Sequence, residues 1–173
     1  MKPSRLAFVV PVVIAATLTR CGDRSATGVG PSRVPLLPGL TVTPGDLLAH
    51  CANTTTGTVT QAIGTAGGVI GVGPDTLHIP PGALGQTVTI QASIVASSIG
   101  NVVAFQPNGL VFQKPVALSI SYANCSVLSP LFLVVVQVDS SFQILQFLET
   151  TNDLTTLQVT GVVRHFSNYA VAW

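Results

Sequence analysis

A chain of 173 residues suits a single domain and is long enough to bury a sizeable core. Only 8% of it is charged, so the polar surface must come largely from Thr, Ser, Gln and Asn. Beyond position 21, four basic residues (Arg24, Arg33, Lys114, Arg164) stand against six acidic ones (Asp23, Asp46, Asp75, Asp139, Glu149, Asp153), a net of −2. Without the Lys and Arg cluster that phosphate recognition requires, nucleic acid is excluded as a partner.

The amino-terminal stretch reads as an address. Lys2 and Arg5 precede Leu6 to Thr19, an uncharged and mostly apolar run of fourteen residues. That is short of the roughly twenty apolar residues a membrane-spanning helix needs, so residues 1–20 are expected to be a signal peptide. Cys21 follows directly. With Leu18 and Thr19 ahead of it, the position resembles the lipid-attachment cysteine of bacterial lipoproteins, where the leader is cut just before the acylated residue. Arg20 stands where that pattern has Gly, Ala or Ser, and an ordinary leader cut elsewhere to give a secreted protein is the alternative. Residues 21–40 hold Gly28, Gly30, Pro31, Pro35, Pro38 and Gly39 with little apolar periodicity. They are expected to form a flexible, lipid-anchored linker. A domain is expected over 41–173, with Leu47 to Ala49 opening either a strand or a short helical turn.

Within the domain the pattern is that of strands. Gly64 to Gly73 is rich in glycine, but no Lys-Ser/Thr and no helix start follows, so a turn is preferred to a phosphate loop. His78 alternates with Leu77 and Ile79 and is expected to face solvent. Pro80-Pro81-Gly82 fixes two φ angles and then permits a left-handed one, a corner between sheets. In Thr87 to Val95, Val88, Ile90, Ala92 and Ile94 share one face while Thr87, Thr89, Gln91 and Ser93 share the other. The same alternation sets Val116, Leu118, Ile120 and Tyr122 against Ala117, Ser119 and Ser121, and Leu157, Val159 and Val163 against Thr156, Gln158 and Thr160. Leu131 to Val136 is continuously apolar and reads as a strand covered on both faces or as an exposed sticky edge. Asp139-Ser140-Ser141 reads as a hairpin turn into Gln143 to Leu148. The fold class expected is all-β, an antiparallel β-sandwich.

If Cys21 is acylated, Cys51 and Cys125 are left as a pair. An even count in an exported chain favours a disulfide between them. A metal site from Cys51, Cys125 and His50 is the weaker alternative, since the paired spacing of a zinc site is missing. No cofactor is expected.

Three stretches recur as punctuation: Gly67-Gly68, Ile79-Pro80-Pro81-Gly82-Ala83-Leu84, and Pro107-Asn108-Gly109-Leu110-Val111-Phe112-Gln113-Lys114-Pro115-Val116. In this order they resemble the ZU-five domain, found in zonula occludens scaffold proteins, netrin receptors, ankyrins and bacterial exported proteins. The resemblance covers about Val59 to Trp173. It implies a β-sandwich-like domain used in protein interaction and scaffolding. It also draws attention to His165-Phe166-Ser167, because some eukaryotic members cleave themselves at such a triplet. Here Ser167 would attack the Phe166 carbonyl and His165 would take its proton. The structural alternative is that His165 and Ser167 share a strand face and hydrogen-bond to each other.

An enzyme acting on an external substrate has less to rest on. Asp75 and His78 are close in sequence, but there is no Gly-x-Ser-x-Gly elbow and no triad to complete with Ser167. Asp139, Glu149 and Asp153 sit at expected turns and form no carboxylate pair for glycoside chemistry. The reading is therefore a non-enzymatic cell-envelope lipoprotein, held to the membrane through lipid on Cys21, whose β-sandwich binds an envelope protein or polysaccharide or acts as a spacer. Ser97 to Asn101 and Asn124 to Ser129 are the contact loops its turn-rich composition suggests. Self-cleavage between Phe166 and Ser167 is the alternative.

Overall fold

The computed structural model describes residues 35–37, 40–41, 44–52, 56–95 and 100–173. The expected signal peptide, Cys21, most of the linker and positions 96–99 of one expected contact loop lie outside them. Strands β1 (Pro35–Leu37) and β2 (Leu40–Thr41) pair as a short hairpin, in the stretch read from sequence as the end of the linker. A 3-10 turn, Pro44–Leu47, leads to β3 (His50–Cys51).

The body follows as β4 (Thr58–Ile63), β5 (Gly68–Val72), β6 (Asp75–Ile79), β7 (Val88–Val95), β8 (Val102–Gln106) and β9 (Val111–Ser121). After β10 (Cys125–Ser126) come β11 (Val134–Val138), β12 (Ile144–Phe147), β13 (Thr150–Asp153), β14 (Gln158–His165) and β15 (Asn168–Ala172). They build two antiparallel sheets in a sandwich-like arrangement. One has the order β12-β11-β15-β8-β7-β4, the other β13-β14-β9-β6-β5. Consecutive strands β4 and β5, and again β12 and β13, lie at sheet edges, so at both the chain passes directly from one layer to the other.

Alternation explains which side chains meet between the layers. Ile90, Ala92 and Ile94 of β7 are buried while Thr89 and Gln91 are exposed, and Val116, Leu118 and Ile120 of β9 are buried likewise. They join Ile70, Leu77, Phe105, Val159, Val163 and Phe166 in the main core. A second apolar cluster, Leu48, Val102, Val136, Val138, Ala170 and Ala172, lies on the outer face of the six-stranded sheet. Val135 belongs to the first cluster and Val136 to the second, so β11 is covered on both faces, as its unbroken apolar sequence implied.

Two expectations change. Leu131 and Phe132 do not belong to that strand: Pro130–Phe132 is a 3-10 turn that leaves both side chains exposed. Pro130 at the start of the turn has its φ preset for it, which a count of apolar residues cannot register. Leu157 lies in the turn between β13 and β14 at φ 53° and is exposed, so the inward face of β14 begins at Val159.

The three punctuation stretches converge at one end of the sandwich. Gly67 has φ 74°, and a Cβ there would stand 2.3 Å from the Ile79 carbonyl oxygen, so the first stretch packs flush on the second. Gly82 N donates to the Thr65 carbonyl, and Gln113 N donates to Ala83 O, which ties the third stretch to the corner. This is the distal end. The opposite, proximal end holds residues 47–52, where the chain joins the body, together with the Cys51–Cys125 disulfide and the β13–β14 turn.

Candidate functional site

His165-Phe166-Ser167 sits at the distal end, in the link between β14 and β15. A register irregularity after Val163 ends the regular pairing with β9 at His165, so Phe166 and Ser167 belong to no strand. Phe166 turns fully inward, stacked on Phe105 at 5.1 Å and edge-on to Phe112 at 4.9 Å. Its backbone is clasped by the third punctuation stretch: Phe166 N donates to Leu110 O at 2.8 Å and Gly109 N donates to Phe166 O at 3.0 Å. Gly109, at φ 77°, supplies the left-handed turn that aims its N–H there.

The two polar members of the triplet part company. Ser167 Oγ accepts a hydrogen bond from Gln137 Nε2 at 3.1 Å, so its partner is on β11. The expected His165–Ser167 pair is replaced by this contact because the strand ladder ends at His165 and leaves Ser167 outside it, so the two do not share a strand face. Tyr169 Oη donates to the His165 carbonyl, and burial holds that phenol well above its ordinary value.

His165 lines a pocket of about 200 Å³ on the flank where β12 crosses to β13. Gln146 and Tyr169 come from one sheet, Val162 and Arg164 from the other, and Leu148 and Glu149 from the crossing itself. The volume falls below the roughly 300–1,000 Å³ of ordinary small-molecule sites. Its lining of one cation, one acid, an amide and an imidazole suits a polar group presented at the surface, such as a side chain or one sugar unit. Glu149 and Arg164 were legible only as isolated charges in sequence, since the crossing that brings them together is a property of sheet order.

Asp75 and His78 do not form a catalytic pair. They alternate along β6, with His78 exposed and Asp75 buried. Asp75 lies at the proximal end, where Oδ1 accepts from Ser121 N at 2.8 Å and Oδ2 is buried without a partner. Beside it, Asn101 Nδ2 donates to Ser121 O and to Asn124 Oδ1, and Asn124 Nδ2 donates to Ala52 O. The Asn101 end of the first expected contact loop is therefore a buried brace, while the second loop carries the highly exposed Leu128.

Desolvation pushes the Asp75 carboxyl up to about 6, against a smaller opposing effect of the Ser121 N–H. The folded state keeps its proton to about pH 6, whereas the unfolded chain releases it near 3.8, so between those values folding takes up a proton. Stability conferred by the protonated acid is complete below pH 4 and falls by roughly 3 kcal/mol as pH rises through 6. Asp153 is held below its ordinary value by Thr155 and Thr156, so its titration falls outside this window. Urea unfolding is expected to show higher stability at pH 4.5 than at pH 7.5, and Asp75→Asn to flatten that difference. An unchanged slope in the variant would remove Asp75 as the source.

Cys51 and Cys125 are joined in a disulfide, on directly paired residues of β3 and β10, which withdraws both sulfurs from the metal alternative with His50. Among the described residues no group of three or more His, Cys, Asp or Glu is placed to hold a metal ion, and no helix is long and apolar enough to cross a membrane. Comparison with protein-family models and with curated proteins found no match to this chain.

Proposed function

We propose that this chain is a non-enzymatic module of the bacterial cell envelope, a ZU-five-like β-sandwich exported by its leader, anchored by lipid on Cys21 and acting through contact with an envelope protein or polysaccharide. The observation that carries the reading is the Cys51–Cys125 disulfide, a bond that persists outside the reducing cytosol. The convergence of the three punctuation stretches at one end supports the family resemblance, since residues far apart in sequence act there as one corner. The polar flank pocket at Glu149, Arg164 and His165 is the contact surface best suited to a sugar or a polar side chain.

Intact mass of the membrane fraction tests the anchor. A chain beginning at Cys21 and carrying acyl groups is expected, and an unacylated chain recovered from the soluble fraction would refute it. The same spectrum tests the self-cleaving alternative. Gly109 N–H already polarises the Phe166 carbonyl, as an attack there would require. Ser167 Oγ, however, is hydrogen-bonded to Gln137 Nε2 on β11 and not to His165, the base that cleavage would need. An uncut chain is expected, and a fragment beginning at Ser167 would establish cleavage instead.

A further inference from the structure

We propose that Asn108 is a self-modification site whose chemistry the fold holds in check: Asn108-Gly109 converts to isoaspartyl-glycine when the Gly109 N–H leaves the Phe166 carbonyl. The first sign is local. Of the six asparagines in the chain, only Asn108 precedes a glycine. Ring closure at an asparagine brings the next residue's backbone nitrogen onto the side-chain carbonyl carbon, and a following glycine has no Cβ to obstruct the approach. Asn101, Asn124 and Asn152 precede Val, Cys and Asp and also commit their amides to hydrogen bonds. Asn108 is exposed, and among the described residues its side chain makes no hydrogen bond; the bond to Gln106 Oε1, at 2.9 Å, is made by its backbone N–H.

The reaction needs only water. Gly109 N, losing its proton to solvent base, attacks Asn108 Cγ; the new N–C bond closes a five-membered succinimide, and the side-chain nitrogen leaves as ammonia. Water then opens the ring at one of its two carbonyl carbons. Breaking the bond from Gly109 N to Cγ gives aspartate. Breaking the bond from Gly109 N to the backbone carbonyl carbon gives isoaspartate, whose main chain runs through Cγ.

In the folded chain that nitrogen is engaged. Gly109 N donates to Phe166 O at 3.0 Å, and Leu110 N donates to Pro107 O at 3.2 Å, closing a turn with Asn108 and Gly109 at its centre and Gly109 at φ 77°. A succinimide nitrogen carries no hydrogen, so the ring and the clasp on Phe166 cannot coexist. Conversion therefore waits for local opening of the distal end. The two products leave different marks. Aspartate restores the original backbone, and the clasp re-forms. Isoaspartate adds one carbon to the main chain within the turn, which takes the Gly109 N–H out of register with the Phe166 carbonyl and slackens the corner permanently. His165, the residue before Phe166, lines the flank pocket, so the same change loosens one wall of that pocket.

The test ages the full oxidised chain at neutral pH, folded or in guanidinium chloride, and follows Asn108 by peptide mapping, with isoaspartate read by enzymatic methylation of its carboxylate. Conversion about tenfold or more slower in the folded chain than in denaturant is expected. Phe166→Leu, folded but slack at the clasp, is expected to convert faster than the folded parent, and Asn108→Gln, which closes no five-membered ring, is the blank. The isoaspartyl chain, separated by chromatography, is expected to lose amide protection at Gly109 and Phe166, and the aspartyl chain to keep it. Equal rates in folded and denatured chains, an Asn108 that stays intact in denaturant, or a Phe166→Leu rate equal to the parent's would overturn the proposal. Full protection at Phe166 in the isoaspartyl chain would overturn it as well.

Discussion

Replacing Phe166 with alanine lowers the unfolding free energy by about 3–5 kcal/mol, the range for deleting a buried aromatic ring whose site cannot collapse. The site is rigid for reasons visible around it. Phe166 is completely buried between Phe105 and Phe112, with the Phe105 ring in turn against Tyr169 at 6.3 Å. The backbone on either side is pinned to Leu110 and Gly109, so the chain cannot sink into the space a lost ring leaves. Phe166→Leu keeps apolar volume and loses only the two ring contacts, which points to about 1–3 kcal/mol. Urea midpoints at constant m measure both. A Phe166→Ala variant within 1 kcal/mol of the parent would show that the triplet is not the keystone of the distal end. The result also separates structure from chemistry at this triplet, because His165→Ala and Ser167→Ala leave the ring in place and are expected to unfold close to the parent.

How far the chain could be read before its structure depended on the kind of signal. Alternation in Val88 to Ile94 and in Val116 to Tyr122 named the buried faces correctly, because burial on one side of a pleat writes a period of two into the sequence. The cysteine pair was legible from parity once Cys21 was set aside as the expected lipid-attachment residue. Where backbone conformation overrides side-chain character, the same reading failed. Leu131 and Phe132 are as apolar as Val135, yet Pro130 turns them outward, and Leu157 continues an alternation that its left-handed φ interrupts. The flank pocket and buried Asp75 were out of reach for a different reason. Each depends on which strands become neighbours: Glu149 meets Arg164 and His165 through the crossing from β12 to β13, and Asp75 meets Ser121 through the β6–β9 register. The carboxylate is the one acid among the described residues that burial removes from water, and no feature of Gly73-Pro74-Asp75-Thr76 announces it.

Loss of the disulfide has an effect of similar size and a different origin. Cys51 and Cys125 are 74 residues apart, and closing a loop of that length restricts the unfolded chain by roughly 4 kcal/mol. A domain stable by about 5–15 kcal/mol gives up about a quarter or more of its margin when that restriction goes. The folded-state contacts replacing it are slight: β3 and β10 pair over two residues each, supported by Ala52 N donating to Asn124 O and by Asn124 Nδ2 donating to Ala52 O. Cys51→Ala with Cys125→Ala is therefore expected to lower the urea midpoint substantially, and reductant to lower that of the parent by the same amount while leaving the double variant unmoved. Equal midpoints for the parent with and without reductant would show that the bond is either unformed or energetically idle. Because the bond joins residues 47–52 to the body beside Leu128 and Phe132, its loss should also loosen the proximal end before the distal one. Amide exchange in the oxidised and reduced chain measures this directly: protection is expected to fall at Leu48 and Ala49 and to persist at Phe166 and Val163.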